Sequence, residues 1–213
     1  MANQIPKIVN MKNLKFFVAL LVAMTVASCG NKAEKETHQK SNTVVEKVKP
    51  GNNLVKGARE LAAESEALKK LDPIAIEDLK KWFPESIGGL SKTNSDAIAM
   101  AGAVTAFVTY GTHTNKQINL QMIDGAGDKG AAATGVFRAI KYDKTNNESY
   151  GDYNKIKEYE GTVVREDFDK NQNRYILGFF YNDRFAIKLK VTGFEQHEIW
   201  NIFKEFKLDG LTN

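Results

Sequence analysis

The chain has 213 residues, of which 42% are hydrophobic and 26% are charged, the balance of an ordinary globular protein. This length suits one sizeable domain better than two. The formal net charge of +4 originates upstream of residue 54, because residues 54–213 contain 22 basic and 23 acidic side chains. A nucleic-acid-binding domain needs a concentrated basic face, so the charge argues against nucleic acid as a partner.

The first 28 residues have the three parts of a secretory signal peptide. Lys12 and Lys15 precede a twelve-residue run, FFVALLVAMTVA, which is almost entirely apolar. A membrane-spanning helix requires ~20 apolar residues, so this run is too short to be one. Ala27 and Ser28 then place small side chains directly before Cys29, the only cysteine in the chain. The pattern predicts an exported precursor that is cleaved before Cys29.

The segment Val26-Ala27-Ser28-Cys29 resembles the lipobox of bacterial lipoproteins. In that family the cysteine thiol receives a diacylglycerol, a peptidase cuts before the cysteine, and the new amine is usually acylated. The resemblance implies a signal peptide over residues 1–28 and a membrane partner reached through the lipid on Cys29. Gly30, in place of an aspartate, favours the outer membrane and leaves periplasmic and surface exposure both open. A cleaved ordinary signal peptide, or an uncleaved anchor helix, is the alternative interpretation.

Residues 29–53 are expected to be the lipidated cysteine and a flexible tether. The stretch after Cys29 is rich in Lys, Glu, Asn and Thr and has no periodic apolar face. As a flexible coil it would span about 25–30 Å, enough to hold a domain just off a membrane. A lipidated Cys29 leaves no thiol for a disulfide or a metal site. The domain over residues 54–213 must therefore be stabilised by its core alone.

The first half of this domain is predicted to contain two helices and two strands. The second helix is expected to begin with Asp72 as N-cap and Pro73 at the first helical position. A β-branched and aromatic run predicts a central strand over 103–111, and alternation predicts a half-exposed strand at 118–122. A further, glycine-interrupted helix is expected within 128–140. The first helix, over 54–71, has a predicted buried stripe at helical spacing that consists of Leu54, Ala58, Leu61, Ser65 and Leu68.

The second half is predicted to be mostly strands and to close with a helix. Residues 143–152 are interpreted as a polar loop, and one bent strand or two short strands are expected around Gly161. Residues 174–191 predict a hairpin with a tight turn at Asn182-Asp183. A capping box from Thr192 to Glu195 is expected to start the last helix. The buried stripe predicted for that helix is Ile199, Ile202, Phe203 and Phe206.

This element order predicts an α+β fold. Its expected form is an antiparallel sheet of about five to six strands with helices packed on one face. The arrangement is similar to the PsbP-like α/β sandwich, which would imply an accessory role in the lumen or periplasm. Such a likeness between folds is a weak indication of function.

Residues 76–126 also resemble a set of bacterial periplasmic proteins and lipoproteins. The family pattern joins a helix leucine and a proline to Gly-Gly-Leu-x-Lys, a tyrosine-ending strand and an I-x-L-x-I-x-D strand. The residues that match the pattern are Leu79, Pro84, Gly88, Gly89, Leu90, Lys92, Tyr110, Ile118, Leu120, Met122 and Asp124. The resemblance implies a shared structural plan and brings no known activity with it.

The glycine loop MIDGAGDKG, residues 122–130, is the strongest candidate for a small binding site. Asp124 and Asp128 flank the glycines between a strand and a possible helix. Backbone N–H groups there could bind an anion, or the two carboxylates could bind Ca²⁺. The loop lacks the spacing of a P-loop or an EF-hand, so a strand-to-helix turn with an N-cap aspartate is favoured.

Other residue patterns give little sign of chemistry. His38, His113 and His197 have no metal-ligand spacing, and no nucleophile motif is present, so we expect no metal, no cofactor and no enzymatic activity. The acidic residues at 158–167 are interpreted as a solvated face. Core packing is favoured over a ligand groove for an aromatic cluster, namely Tyr175, Phe179, Phe180, Tyr181 and Phe185.

The expected function is therefore that of a membrane-anchored lipoprotein that acts as a non-enzymatic interaction or accessory protein of the cell envelope. Its protein partner is not specified by the sequence. The alternative is a lipoprotein that binds a small ligand on the aromatic face of its sheet.

Overall fold

A computed structural model describes residues 52–112, 114 and 116–212 of the chain. Five α-helices lie in this part, and the last is followed by a 3₁₀ helix. Another 3₁₀ helix, Ala139–Tyr142, continues directly from α4. The helices are α1 (Asn52–Leu68), α2 (Ile76–Trp82), α3 (Gly127–Ala133), α4 (Gly135–Arg138) and α5 (Gln196–Lys204), and the final 3₁₀ helix is Leu208–Thr212.

The strands form one antiparallel nine-stranded sheet in the order β1-β2-β3-β4-β9-β8-β7-β6-β5. Strands that are consecutive in the chain are neighbours in the sheet, except that β4 pairs with β9 and not with β5. Helices α3 and α4 and the four strands β5 to β8 lie between β4 and β9 in the chain. The strands are β1 (Ser86–Ile87), β2 (Leu90–Met100), β3 (Ala103–Gly111), β4 (Gln117–Asp124), β5 (Asn146–Ser149), β6 (Asp152–Tyr159), β7 (Thr162–Asp169), β8 (Arg174–Tyr181) and β9 (Phe185–Thr192).

One face of the sheet, called the covered face, carries the main core. Alternate side chains of each central strand point to it, since successive side chains point to opposite faces of a strand. Ile187 pairs with Met122 on one side and Phe179 on the other, and all three are fully buried. Helix α5 lies over these residues, with the Phe203 ring 4.9 Å from that of Phe179. Helix α2 contributes Leu79 and Phe83 to the same cluster.

Half of the opposite face is also covered by helices. Gly178 of β8, next to covered-face Phe179, lies against Phe137 and Ile140 from α4 and the following 3₁₀ helix. Helix α3 contacts β3 and β4, and α1 packs on α3 and α4 as an outer layer. Gly57 of α1 leaves room for the Tyr142 ring, which a Cβ atom would approach to 3.1 Å. This second face is therefore covered toward α3 and α4 and bare beyond them.

The α+β class and the antiparallel sheet are confirmed, but the expected sheet was too small. Nine strands replace five to six because β1, β2 and β5 were not predicted. Strand β5 lies inside the segment that was interpreted as a polar loop. The expectation that helices pack on one face was wrong, because the described helices lie on both faces. Around Gly161, the alternative of two strands is confirmed, and each of them has eight residues.

Three helix boundaries or faces also differ from prediction. Helix α2 begins after Ala75, so Asp72-Pro73 lies in the preceding loop. The capping box of α5 is formed by Glu195 and Glu198, one turn later than predicted. Ala58 is exposed, and the inward stripe of α1 is rotated to the positions Gly57, Leu61, Glu64 and Leu68. The four residues of the stripe predicted for α5 are all buried, but Phe206 lies beyond the end of this helix.

Several predictions concern residues outside the described part. These are the signal peptide over 1–28, the lipid site at Cys29, the tether to residue 51, and the histidines His38 and His113. Within the described residues, no helix combines the length and apolar character needed to cross a membrane.

Candidate functional site

Asp124 in the glycine loop is a buried structural residue. Its carboxylate accepts two hydrogen bonds from Arg184, at 2.8 and 2.9 Å, and one from the backbone N–H of Ile74 at 2.8 Å. A further bond of 3.1 Å comes from the backbone N–H of Ala126, the N-cap residue of α3. The predicted strand-to-helix turn is present, but its N-cap is Ala126 and not an aspartate. Asp124 instead connects β4, the β8–β9 turn and the loop between α1 and α2.

Asp128 is exposed in the first turn of α3, away from the bonds made by Asp124. The glycines of this loop are required by close backbone contacts, since a Cβ on Gly125 or on Gly130 would lie 2.4 Å from a carbonyl oxygen. No group of three or more possible metal ligands occurs among the described residues. The loop acts as a tight strand-to-helix connection.

Glu166 on β7 is buried beneath α5, although the sequence suggested a solvated acidic strand. Its carboxylate accepts hydrogen bonds from Tyr153 at 2.5 Å, from Lys157 at 2.7 Å, from Gln196 at 3.1 Å and from Tyr159. Four donors surround the two oxygen atoms, which satisfies a buried charge. The network joins β6, β7 and the start of α5, and we interpret it as structural.

The tyrosines of this network are held in their neutral form. Burial, and to a smaller extent hydrogen bonding to the Glu166 carboxylate, raises the pKa of Tyr153 and of Tyr159 well above the usual range. Deprotonating either phenol would place a second negative charge beside Glu166. The pair therefore serves as hydrogen-bond donors at ordinary pH.

Three members of the predicted aromatic cluster of the β8–β9 hairpin, Tyr175, Phe179 and Phe185, pack in the core as favoured, whereas Phe180 and Tyr181 are partly exposed. Phe179 and Phe185 are fully buried and Tyr175 is 8% exposed. The rings of Phe179, Trp200 and Phe203 contact one another at 4.9–5.6 Å. With their rings enclosed in this way, Phe179 and Phe185 cannot contact a ligand.

The bare half of the second face forms a surface that we call the open patch. It is a shallow depression of about 410 Å³ across β3, β4, β9 and β8. One row runs from Phe107 through Gln121 to Lys188, and the next runs through Asn119 and Lys190. The patch consists of Phe107, Thr109, Asn119, Gln121, Arg174, Ile176, Lys188 and Lys190.

Charge on the open patch is predominantly basic. Arg174 is paired with Asp169 at 2.9 Å. Lys188 and Lys190 have no carboxylate within 4.0 Å among the described residues. Asp167, beside Lys188, has a pKa raised by burial, which the nearby Arg165 opposes. The patch thus combines two unpaired lysines with partly exposed apolar and amide side chains.

A second concave site, which we call the Arg138 cavity, lies where the second face is covered. It has a volume of about 260 Å³ and lies between α1, α4 with its 3₁₀ extension, and the turns at the ends of β6 and β8. Arg138 is only 5% exposed. The lining residues are Glu64, Phe137, Arg138, Lys141, Gly161, Thr162, Val163, Phe180, Asn182 and Asp183.

Neither site was predicted from the sequence. Arg138 lies in a short apolar and glycine-containing stretch, GVFRAI, where an arginine is normally solvated at a helix end. The alternation of Lys188 and Lys190 with apolar residues did predict an outward-facing row. Nothing local in the sequence showed which half of that face the helices would leave bare.

Comparisons with protein-family models, with curated proteins and with solved structures find no match for this chain. The resemblances to bacterial lipoproteins and to a PsbP-like sandwich therefore stay predictions from the sequence.

Proposed function

We propose that this chain is a lipoprotein of the cell envelope that is anchored to a membrane through lipid on Cys29. The outer membrane is the favoured location. The support is the order of two lysines, a short apolar run and Val-Ala-Ser-Cys, followed by a polar stretch. Acyl chains add membrane affinity of about 0.8 kcal/mol for each buried CH₂, and two or more chains give stable anchoring.

The anchor proposal is tested by intact-protein mass spectrometry after growth with an alkyne analogue of palmitic acid. The expected mature protein begins at acylated Cys29, and a Cys29→Ala precursor should take up no label. Because an uncleaved signal can still hold that precursor on the membrane, lipid mass and not fractionation is the readout. Native protein with an unmodified Cys29 would contradict the proposal.

The proposed role of the folded domain is to bind an envelope protein through the open patch, without catalysis. The single observation that carries this role is a basic and partly apolar half-face of the sheet that the described helices leave bare. Such mixed surfaces suit protein contacts, in which apolar residues supply area and charges supply orientation. Since its unpaired charges are those of Lys188 and Lys190, we expect an acidic surface on the partner.

This role can be tested by photo-crosslinking in whole cells from a benzophenone amino acid at position 121, in the centre of the patch. A discrete crosslinked product is expected, and the double substitution Lys188→Glu with Lys190→Glu should reduce it about tenfold or more. The same probe at Lys81, an exposed position on α2, is the matched control and should give no such product. A product that survives the double substitution would contradict the role of the patch.

Binding of a small ligand is the second candidate function. The buried rings of Tyr175, Phe179 and Phe185 do not favour it, because they are enclosed in the core. The Arg138 cavity does favour it, because it contains a buried cation within a concave site.

A further inference from the structure

The guanidinium of Arg138 is a buried charge without a matching acid. No carboxylate lies within 4.0 Å of it among the described residues. Its two hydrogen bonds go to main-chain carbonyls, from Nη1 to Leu61 at 2.8 Å and from Nη2 to Ala131 at 2.7 Å. Arginine has five N–H donors, and the buried Nε atom has no partner. Buried charges in proteins are normally paired, so this arrangement is unusual.

A structural role accounts for part of this arrangement, because Ala131 lies in the last turn of α3, where a cation is favourable. Arg138 joins α1 to α3 by donating to one carbonyl of each helix. A neutral donor could make bonds of this type without the desolvation cost that a cation carries. The unsatisfied Nε atom has no function in this link between the two helices.

Glu64, which lines the same cavity, has a hydrogen-bond acceptor without a donor. One carboxylate oxygen, Oε1, pairs with Lys141, while the other, Oε2, is buried and accepts no hydrogen bond. Glu64 and Arg138 do not form an ion pair with each other, because their charged atoms are more than 4.0 Å apart. Two residues that line the cavity, Arg138 and Glu64, thus each have one buried polar atom without a hydrogen-bond partner, on different elements of the fold.

Charge and size restrict what could satisfy both groups. The charged side chains that line the cavity are two cations, Arg138 and Lys141, and two anions, Glu64 and Asp183, and Lys141 pairs with Glu64. Asp183 is exposed on the β8–β9 turn and lies more than 4.0 Å from Arg138, so the Arg138 charge has no direct partner among the described residues. A volume of about 260 Å³ is below the usual range for drug-sized ligands. The remaining walls include the apolar side chains of Phe137, Val163 and Phe180, which suit a short alkyl group.

We propose that the Arg138 cavity binds a small carboxylate that carries a hydrogen-bond donor on the adjacent carbon atom. The planar fork of Arg138 matches a carboxylate, and the adjacent donor would bond to Oε2 of Glu64. An α-amino acid and an α-hydroxy acid share this chemistry. The proposal goes beyond membrane anchoring and beyond the open patch, and it holds wherever the domain is located.

The test is isothermal titration calorimetry on the full chain in detergent, with L-alanine, L-lactate and propionate as probes. Propionate has the same carboxylate and alkyl group but no donor on the adjacent carbon. At least one of the first two probes should bind with a Kd below about 1 mM. Propionate should bind about tenfold more weakly, because the Glu64 oxygen then stays unsatisfied. Equal binding of propionate, or no binding of any probe, would overturn the proposal.

Variants of the two polar walls locate the binding. Arg138→Gln should weaken binding of the carboxylate at least about tenfold. Glu64→Gln should weaken binding of L-alanine about tenfold while leaving L-lactate nearly unchanged, because an amide oxygen still accepts from a hydroxyl group. This difference separates an amino-acid site from a hydroxy-acid site. If Arg138→Gln does not fold, Arg138→Lys retains the charge but not the fork and should show the weakening. Lys81→Gln, at an exposed position on α2, is the control and should leave binding unchanged. Binding that is unaffected by all cavity variants would refute the site.

Discussion

The two faces of the sheet are built from the same strands but have different tolerance to polar groups. On the covered face, fully buried residues such as Ile187 and Leu189 lie beneath α5 and α2. On the second face, Lys188 between them is exposed. The comparison shows that alternation along a strand assigns side chains to faces, whereas helix placement decides which parts of a face are buried.

Placing an aspartate at successive positions of β9 tests this difference most strongly. Ile187→Asp should unfold the domain, because an unpaired buried carboxylate costs several kcal/mol and total stability is only about 5–15 kcal/mol. Lys188→Asp, one residue along the strand, should remain folded. Circular dichroism with a thermal melt distinguishes the two, and similar melts for both variants would mean that the faces are wrongly assigned.

The strands that were predicted well are those in which one face is clearly apolar. The central strand β3 has the bounds that were predicted for it, and the β8–β9 hairpin has its turn at Asn182-Asp183, where both residues have positive φ as a tight hairpin turn requires. Strands β2 and β5 are polar and lie at or next to the sheet edges, so they contain little of the hydrophobic pattern that predicts a strand.

The candidate sites were less predictable for a different reason. Glu166 has ordinary polar neighbours in the sequence, whereas Arg138 lies in a short apolar stretch, and both become buried only when α5 or α1 packs over them. Burial of this kind depends on contacts between elements distant in the chain, such as the bond from Arg138 to Leu61. Local periodicity contains no information on such contacts.

The two aspartates of the glycine loop give the next largest expected difference. Asp124→Asn should lower the free energy of unfolding by about 3 kcal/mol, because it leaves the largely buried Arg184 without its charged partner. Asp128→Asn should change it by less than about 0.5 kcal/mol, since Asp128 is exposed. Urea denaturation provides both values. Equal effects would show that Arg184 gains nothing from the carboxylate of Asp124.

Alkaline pH should lower the stability of the folded domain through the buried tyrosines of the covered face. Burial, with a hydrogen bond to Asp209, raises the pKa of Tyr181 to about 12, and burial also raises the pKa of Tyr110. An unfolded tyrosine has a pKa of about 10. The folded state thus holds its phenol protons more tightly, so this stabilisation is complete below about pH 10 and decreases as pH rises toward 12.

Urea midpoints measured between about pH 9 and pH 11 should accordingly decrease, and Tyr181→Phe should make the decrease shallower. Tyr150, which is 100% exposed in the β5–β6 turn, provides the control, because Tyr150→Phe should leave the slope unchanged. A slope that Tyr181→Phe does not alter would show that its phenol is equally acidic in both states.

The smallest expected effect concerns Gly178, where the second face meets α4. A Cβ at this position would lie 3.8 Å from Phe137 and 3.8 Å from Ile140, which is ordinary van der Waals contact. Alanine also restricts the unfolded chain, so Gly178→Ala should stabilise the domain by about 0.4–1 kcal/mol. Gly125→Ala is the matched control and should destabilise it, because its Cβ would lie 2.4 Å from the Arg184 carbonyl oxygen. Chemical denaturation of both variants measures these changes in the free energy of unfolding. A destabilising Gly178→Ala would mean that the helices lie closer to the second face than these distances indicate, and that its covered half is packed as tightly as the core beneath α5.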